Sequence, residues 1–297
     1  MFVGGGSRCG MNDKAVLVYG AGGFLGRDLV TRFWNAGTKV YGTASRPSSE
    51  PPYIPLWPER EPGDWAAPPE DLHALVMAAG PGPGLAEEED TTRHLLTVRN
   101  VIAWARHYGV QRVVFVSVLG ASQDGRHPLQ RVKAQAEAIV ERSGLAWTVV
   151  RPSLLFGRGA DLFDRLETWA SRPVSLVPVS PSVVQPVFVG DVSEAILRII
   201  GHPATVGRTF DLPGPHLVTL RDLIRQMAAD GVWWQRRVLA VDPDWRFARF
   251  VRWPWTPGEW DYFQTEPRVR DSRWLVDLGI LPRSLSMYYA PYGRTLS

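Results

Sequence analysis

Apolar and polar positions alternate along the chain in two periods. Ala15 to Tyr19 is a short, continuous β-branched and apolar run that ends on glycine, which predicts a strand. From Leu25 to Phe33 the apolar positions return at helical spacing, so a helix follows directly. Lys39 to Ala44, Ala74 to Ala78, Arg112 to Val118 and Trp147 to Arg151 read as further strands, with Arg112 to Val118 apolar enough to be covered on both faces. Helices are expected from Thr91 to Tyr108, stopped by Gly109, and from Gln130 to Arg142. Strands alternating with helices imply a parallel sheet joined by right-handed crossovers. Pro47, Pro51, Pro52, Pro55, Pro58, Pro62, Pro68 and Pro69 argue against a full crossover helix before Asp71. Asp191 with Glu194, and Thr219 with Asp222, predict N-terminal caps for two later helices, the second ending near Gly231.

Size and composition narrow this without changing it. A chain of 297 residues suits one large domain, or a domain with a smaller lobe. Hydrophobic residues at 45% and charged residues at 21% are ordinary globular values, and Gly and Pro together stay below the level that signals disorder. A net charge of +3, dispersed along the chain, gives no reason to expect nucleic acid as a partner. The lone Cys9 excludes an intrachain disulfide and a zinc site built on several thiolates, and no metal site is expected. No apolar run reaches the roughly 18 residues of a spanning helix, and Met1 to Gly10 lacks a signal peptide's apolar stretch. The expected location is cytoplasmic, with peripheral contact to a membrane left open. Residues 1–12 read as an unstructured tail, with Met11 an alternative start.

The chemistry begins at Gly20-Ala-Gly22-Gly23-Phe24-Leu25-Gly26, which spaces glycines three apart between a strand and a helix. Backbone amides can approach a pyrophosphate closely there, at a helix N-terminus, so dinucleotide binding is favoured over an ordinary turn. The predicted fold is α/β, a Rossmann-type doubly wound parallel sheet with a smaller C-terminal substrate or lid lobe. Residues 13–155 form the dinucleotide-binding domain. Residues 156–297 form a mixed region that completes the sheet and builds a Trp-rich lobe. The second strand ends Gly42-Thr-Ala-Ser45-Arg46 with no carboxylate for a ribose 2′-hydroxyl. Arg46, with Arg27 as a second cation, can pair instead with a 2′-phosphate, which favours NADP(H) over NAD(H). The alternative for each arginine is a solvated surface charge.

The same glycines, with Asn100-Val101, Arg112 to Ala121, Arg151-Pro-Ser153, Phe156-Gly157 and Gln185 to Asp191, occur in an order that resembles the short-chain dehydrogenase/reductase superfamily in its extended or atypical, epimerase-like branch. Trp147 to Gly157 and Gln185-Pro186 are most similar to the dehydrogenase-like accessory subunit of mitochondrial complex I and its bacterial relatives. The likeness covers residues 14 to about 230, and is fainter at Trp255-Thr-Pro and Leu275 to Ile280. It implies Gly20, Gly23 and Gly26 at the pyrophosphate, with Gly22, Phe24, Leu25 and Arg27 in the same cofactor site, Arg46 at the adenosine end and Asp64 at adenine. It implies Ala78, Ala79 and Gly80 along the ribose, Pro152 and Ser153 near the nicotinamide, and Ser117 among the cofactor-binding residues.

Active members of that superfamily use a Tyr four residues before a Lys to shuttle a proton as hydride moves. Here the corresponding segment is His127-Pro-Leu129-Gln-Arg-Val-Lys133, so the lysine is present and leucine stands for the phenol. The carbonyl-orienting Ser or Thr falls at Leu119. The resemblance therefore implies a bound nucleotide that is structural or sensory, with weak or no dehydrogenase activity. Lys133 would hold ribose hydroxyls, against the alternative of a surface lysine. His127, the one nearby group titrating near neutrality, is a candidate acid or base, against an exposed loop histidine. Ser117 reads as satisfying backbone groups at a strand end. The competing function is an active NADP-dependent reductase, epimerase or isomerase with a non-standard proton donor.

Late in the chain, Asp244 to Trp253 sets Arg246, Arg249 and Arg252 three apart beside Phe247, Phe250 and Trp253, which predicts a basic, aromatic helix ended by Pro254 and Pro257. Through residues 244–260 such a helix can meet an anionic membrane surface or a respiratory-complex partner, or else pack inward as a lid.

Overall fold

The computed structural model describes residues 15–44, 54–55, 68, 70–84, 88–228, 237–242, 251–265, 269, 274 and 277–289. The strands are β1 (Ala15–Tyr19), β2 (Lys39–Thr43), β3 (Ile54–Pro55), β4 (Leu72–Met77), β5 (Arg112–Val116), β6 (Ala146–Pro152), β7 (Leu155–Phe156), β8 (Val174–Pro178), β9 (Val183–Val184), β10 (Val187–Phe188), β11 (Arg208–Leu212), β12 (Val218–Thr219) and β13 (Arg237–Val241). The helices are α1 (Phe24–Asn35), α2 (Glu88–His107), α3 (Pro128–Glu141), α4 (Asp161–Ala170), α5 (Val189–Gly201), α6 (Leu220–Ala228), α7 (Pro257–Thr265) and α8 (Leu285–Tyr288).

Seven strands form the main sheet in the order β11-β6-β5-β4-β1-β2-β3, and every pairing in it is parallel. Alternate residues of each central strand feed opposite cores. Val16, Val18, Val114 and Val116 join Leu29 and Phe33 of α1 and Ile196 and Ile199 of α5 on one face. Ala15, Leu17, Val113 and Phe115 join Val101 and Ile102 of α2 and Ala136 and Val140 of α3 on the other. This two-sided burial is why those strands read as unbroken apolar runs. The order reverses between β1 and β4, where a doubly wound sheet opens a crevice at its carboxyl edge.

Arg112 ties the far half together. Its guanidinium is buried and donates to Ala146 O, Thr148 Oγ1, Ile199 O and Thr205 Oγ1, joining β5, β6, α5 and the short 3-10 turn at Pro203–Thr205. Burial pulls it down to about 10.

Several boundaries differ from expectation. Within the proline-rich stretch, β3 adds a short parallel edge strand beside β2, a place where proline's missing N–H is tolerated. α2 starts at Glu88, three residues early. Asp191 does not cap α5: the cap position is Phe188, and Asp191 lies inside the first turn, accepting from Arg283 N at 2.7 Å. Glu194 instead receives Arg32 and Arg198, at 2.9 and 2.6 Å. Thr219 does cap α6, its Oγ1 accepting from Asp222 N at 3.1 Å. Pro257 opens α7 rather than ending a helix. Most of the basic, aromatic stretch, residues 243–250, lies outside the described residues, as do Arg46, Asp64 and the N-terminal tail.

Candidate functional site

β1 delivers the chain to Gly20, whose φ of +94° belongs to glycine, and a Cβ there would meet Ala79 at 2.7 Å. The turn is locked from both sides. Gly20 N donates to Thr43 Oγ1 and Ala21 N to Thr43 O, at 3.1 and 2.8 Å, while Ala78 N and Ala79 N donate to Tyr19 O. A Cβ on Gly26 would be driven into the Gly20 carbonyl, so this glycine sets how closely α1 approaches β1. Gly23 at the N-cap offers no side-chain cap, and the first turn of α1 holds no acid. The amides of that turn are therefore available to an anion. Exposed Arg27 donates to Gly22 O at 3.0 Å and braces the turn from outside.

This turn forms one wall of a cavity of about 1080 Å³, at the upper end of the roughly 300–1,000 Å³ of ordinary ligand sites. The fold brings Gly20, Gly22, Gly23, Phe24, Leu25, Ala78, Ala79, Gly80, Ser117, Lys133, Pro152 and Ser153 into its lining. Gly26 and Arg27 are not in the lining and shape it from behind. Thr43, Ala44, Arg93, Thr97, Leu162, Glu259 and Tyr262 also line it and were not singled out from the sequence. The Thr256-Pro-Gly-Glu259 string was a legible signal for two of them, because it is a capping box that sets both Glu259 and, one turn later, Tyr262.

At the cavity floor lies Lys133, 4% exposed, one turn beyond fully buried Leu129 on α3. Its Nζ donates to Val116 O at 3.2 Å and lies 5.1 Å from the Phe115 ring centre. Burial pulls its ammonium down to about 8, opposed by the Glu137 carboxylate. The surface-lysine alternative is thereby overturned. Ser117, 2% exposed, has a buried Oγ with no hydrogen-bond partner among the described residues, so it does not serve backbone groups as expected.

His127 corrects a second expectation. It is buried, not exposed, and it does not line the cavity. Its Nδ1 accepts from Leu129 N at 3.1 Å and its Nε2 lies 3.1 Å from Gly258 O, in a capping box with Gln130. With Nδ1 accepting, the proton sits on Nε2 and the ring is neutral. Burial lowers its proton affinity further. Both nitrogens are spent on structure, which leaves His127 no role as the proton donor.

α7 closes the far wall. Glu259 receives a forked pair from Arg165, at 2.6 and 3.2 Å, and accepts from Thr256 N at 2.7 Å. Tyr262 packs on Leu129 and Val132 and meets the His127 ring edge-on at 5.4 Å. Beside α7, Trp253, Trp255 and Trp260 stack in succession with ring centres 5.2 and 5.7 Å apart, and Trp169 meets Trp253 at a tilt with centres 6.0 Å apart. The described part of the Trp-rich segment thus packs inward against the core.

The arrangement fits a dinucleotide: an amide-lined glycine turn for the diphosphate, Gly80 and Ala79 where backbone must pass close, and Lys133 and Ser117 with unused hydrogen-bonding capacity for hydroxyls. Among the described residues no group of three metal-ligating side chains occurs, and no helix is long and apolar enough to cross a membrane.

Residues 20–162 match a family model described as NAD(P)H-binding. The chain is 27% identical over 244 residues to the NADH dehydrogenase (ubiquinone) 1 alpha subcomplex subunit 9, mitochondrial, of Arabidopsis thaliana, across 75% of this chain and 60% of that protein. It therefore spans about three fifths of that relative's length. Its fold matches the UDP-glucose 4-epimerase of Thermotoga maritima, solved with UDP-glucose, with a TM-score of 0.67 at 16% identity over 95% of this chain and 100% of the other. It also matches a short-chain dehydrogenase/reductase superfamily protein of Agrobacterium tumefaciens, solved with NAD, with a TM-score of 0.61 at 18% identity over 77% and 85%. Residues 20–162 are thus similar to an NAD(P)H-binding domain, the chain shares its fold with these epimerase and dehydrogenase structures, and it is related in sequence to that alpha subcomplex subunit 9.

Proposed function

We propose that this chain holds NADP(H) as a resident group that is structural or sensory, and that it serves a larger respiratory assembly rather than metabolising a substrate. The observation that carries the reading is Leu129, fully buried and lining the cavity one turn from Lys133, beside a glycine turn that is intact. When bound, the reduced dinucleotide supplies hydride. Leu129 has no proton to deliver with it. Lys133 and Ser117 then bind and orient the ligand's hydroxyls, and α7 excludes water from that end. The phosphate preference rests on Arg46 and on the missing carboxylate at the end of β2. The assembly role is supported by the relative named as a subunit of NADH dehydrogenase, with residues 244–260 as the docking segment.

Mass spectrometry of the denatured purified protein tests this. Bound NADP(H) in near-stoichiometric amount is the expected result. NAD alone would overturn the preference, and absence of any dinucleotide with no heat of binding in calorimetry would overturn the reading itself.

One observation favours a second reading, an active reductase with a substituted donor: Tyr262 lines the cavity and packs directly on Leu129, so α7 brings a phenol to the wall where α3 carries none. In that case NADPH would be consumed with an aldehyde, ketone or quinone. Tyr262→Phe would abolish turnover while NADPH binding persisted. No consumption across such a panel leaves the resident-group reading standing.

A further inference from the structure

His94 of α2 is a buried titratable group that nothing above has used. It is 7% exposed, its Nε2 is buried, and that nitrogen has no hydrogen-bond partner among the described residues. A buried imidazole nitrogen left unsatisfied costs stability, so its retention calls for a partner that the ligand-free fold does not fully engage. Three observations place the ring beside Lys133. A Cβ on Gly80 would meet Lys133 Nζ at 2.7 Å and His94 Cε1 and Nδ1 at 2.9 and 3.5 Å, so the two side chains converge on the space that glycine leaves empty, with Nδ1 the ring nitrogen turned to it. Both also lie against the Phe115 ring, His94 stacked at 6.5 Å and the Lys133 ammonium at 5.1 Å. The Lys133 charge is itself felt at His94, which burial first and that ammonium second hold down at about 3. His94 is therefore neutral at every physiological pH and is a hydrogen-bond acceptor at one ring nitrogen.

We propose that His94 is a positioning residue for Lys133: the neutral imidazole takes a hydrogen bond from the ammonium beneath Gly80 and holds it aimed at the hydroxyls of a sugar-bearing ligand in the cavity. This rests on the dinucleotide reading of the cavity. The other charged groups facing Lys133 are Glu137 on its own helix and, behind that carboxylate, Arg151 of β6, which binds Glu137 through a fork at 2.9 and 2.6 Å. Val116 O of β5 takes one further ammonium proton. An acceptor beside an ammonium favours the charged form, so His94 extends the range over which Lys133 stays protonated.

The experiment uses the chain's lysine content. Lys14, Lys39 and Lys133 are its lysines, so protein labelled with carbon-13 at lysine Cε gives three resonances whose pH titrations are separable. In ligand-free protein the Lys133 midpoint is expected near the value of about 8 given above, clearly below the other two. His94→Phe keeps the ring's bulk and removes the acceptor. It is expected to lower the Lys133 midpoint by about half a unit or more, and to weaken NADPH binding on the order of tenfold at pH 7.5. Gly80→Ala, which wedges a methyl group between the two side chains, is expected to move the midpoint the same way. His94→Asn, which restores an acceptor, is expected to recover much of both effects. An unchanged Lys133 midpoint in His94→Phe, in protein whose spectrum remains folded, would overturn the proposal, as would a shifted midpoint with unaltered NADPH affinity. If wild-type protein takes up neither dinucleotide in calorimetry, the cavity reading fails and the binding role of the pair fails with it. In that event a midpoint that still responds to His94→Phe identifies the ligand assignment as the point of failure.

Discussion

Gly26 shows how much one missing methyl group controls. Any Cβ at that position runs into the carbonyl of Gly20, which is backbone and has no rotamer to yield. Gly26→Ala is expected to push α1 off β1, to destabilise the protein by roughly 3 kcal/mol, and to remove dinucleotide binding. Chemical denaturation and calorimetry check the two effects separately, and retained binding at wild-type affinity would contradict the role given to this glycine. The conformational need at Gly20 and Gly26 was legible in the sequence, because glycines three apart between a strand and a helix have few other uses. Lys133 was legible for a similar reason. His127 was not: its burial depends on Gly258, 131 residues away, and no local pattern encodes that contact. His94 was likewise invisible, since a histidine among apolar helix positions looks the same whether it faces solvent or an ammonium.

Among the elements, α5 carries the least expected electrostatics. Asp191 is buried in its first turn, and burial raises the carboxyl to about 6, opposed by Arg283 and Arg32. With a folded value above the ordinary one of 3.8, the folded state binds the extra proton between those two values. This group's contribution to stability is thus full below the ordinary value and is lost as pH rises through about 6. Asp191→Asn keeps an acceptor for Arg283 N and removes the titration. Thermal melts from pH 4 to 7 should show the variant gaining on wild type as pH rises, by on the order of 2 kcal/mol at the upper end. A constant difference across that range would refute the assignment. The alternation of the central strands and helices was readable from periodicity because their packing is local and two-sided. By contrast, β3 and the inner position of Asp191 depend on where distant chain lies: the prolines spoke only against a crossover helix and said nothing of an edge strand, and cap spacing misjudged Asp191.

At the scale of the whole molecule, closure of the cavity depends on α7, which is fastened to three separate elements. Gly258 O meets His127 Nε2, Gln130 Nε2 donates to Thr265 O, Glu259 binds Arg165 of α4, and Gln264 accepts from Ser182 beside β9. Arg165→Ala removes the forked pair and also the bond to Pro254 O. It is expected to raise the rate of NADPH release by about tenfold with little change in the glycine turn, which stopped-flow displacement would measure. Release at the wild-type rate would show that α7 is not what retains the ligand. A lid lobe was expected late in the chain, but the contacts that fasten it were not readable, because the capping box of α7 specifies a helix and not the surface it settles on.

The ladder of indoles beside α7 has an optical consequence. Reduced nicotinamide absorbs in the band where tryptophan emits, and a folded chain of this length has a radius of gyration of only about 19 Å. The stacked rings therefore sit within energy-transfer range of the cleft and drain toward whatever chromophore occupies it. Ultraviolet excitation of the protein alone should then report the reduced guest: blue emission appears when the reduced form is held, and tryptophan light recovers from that transfer when it is oxidised.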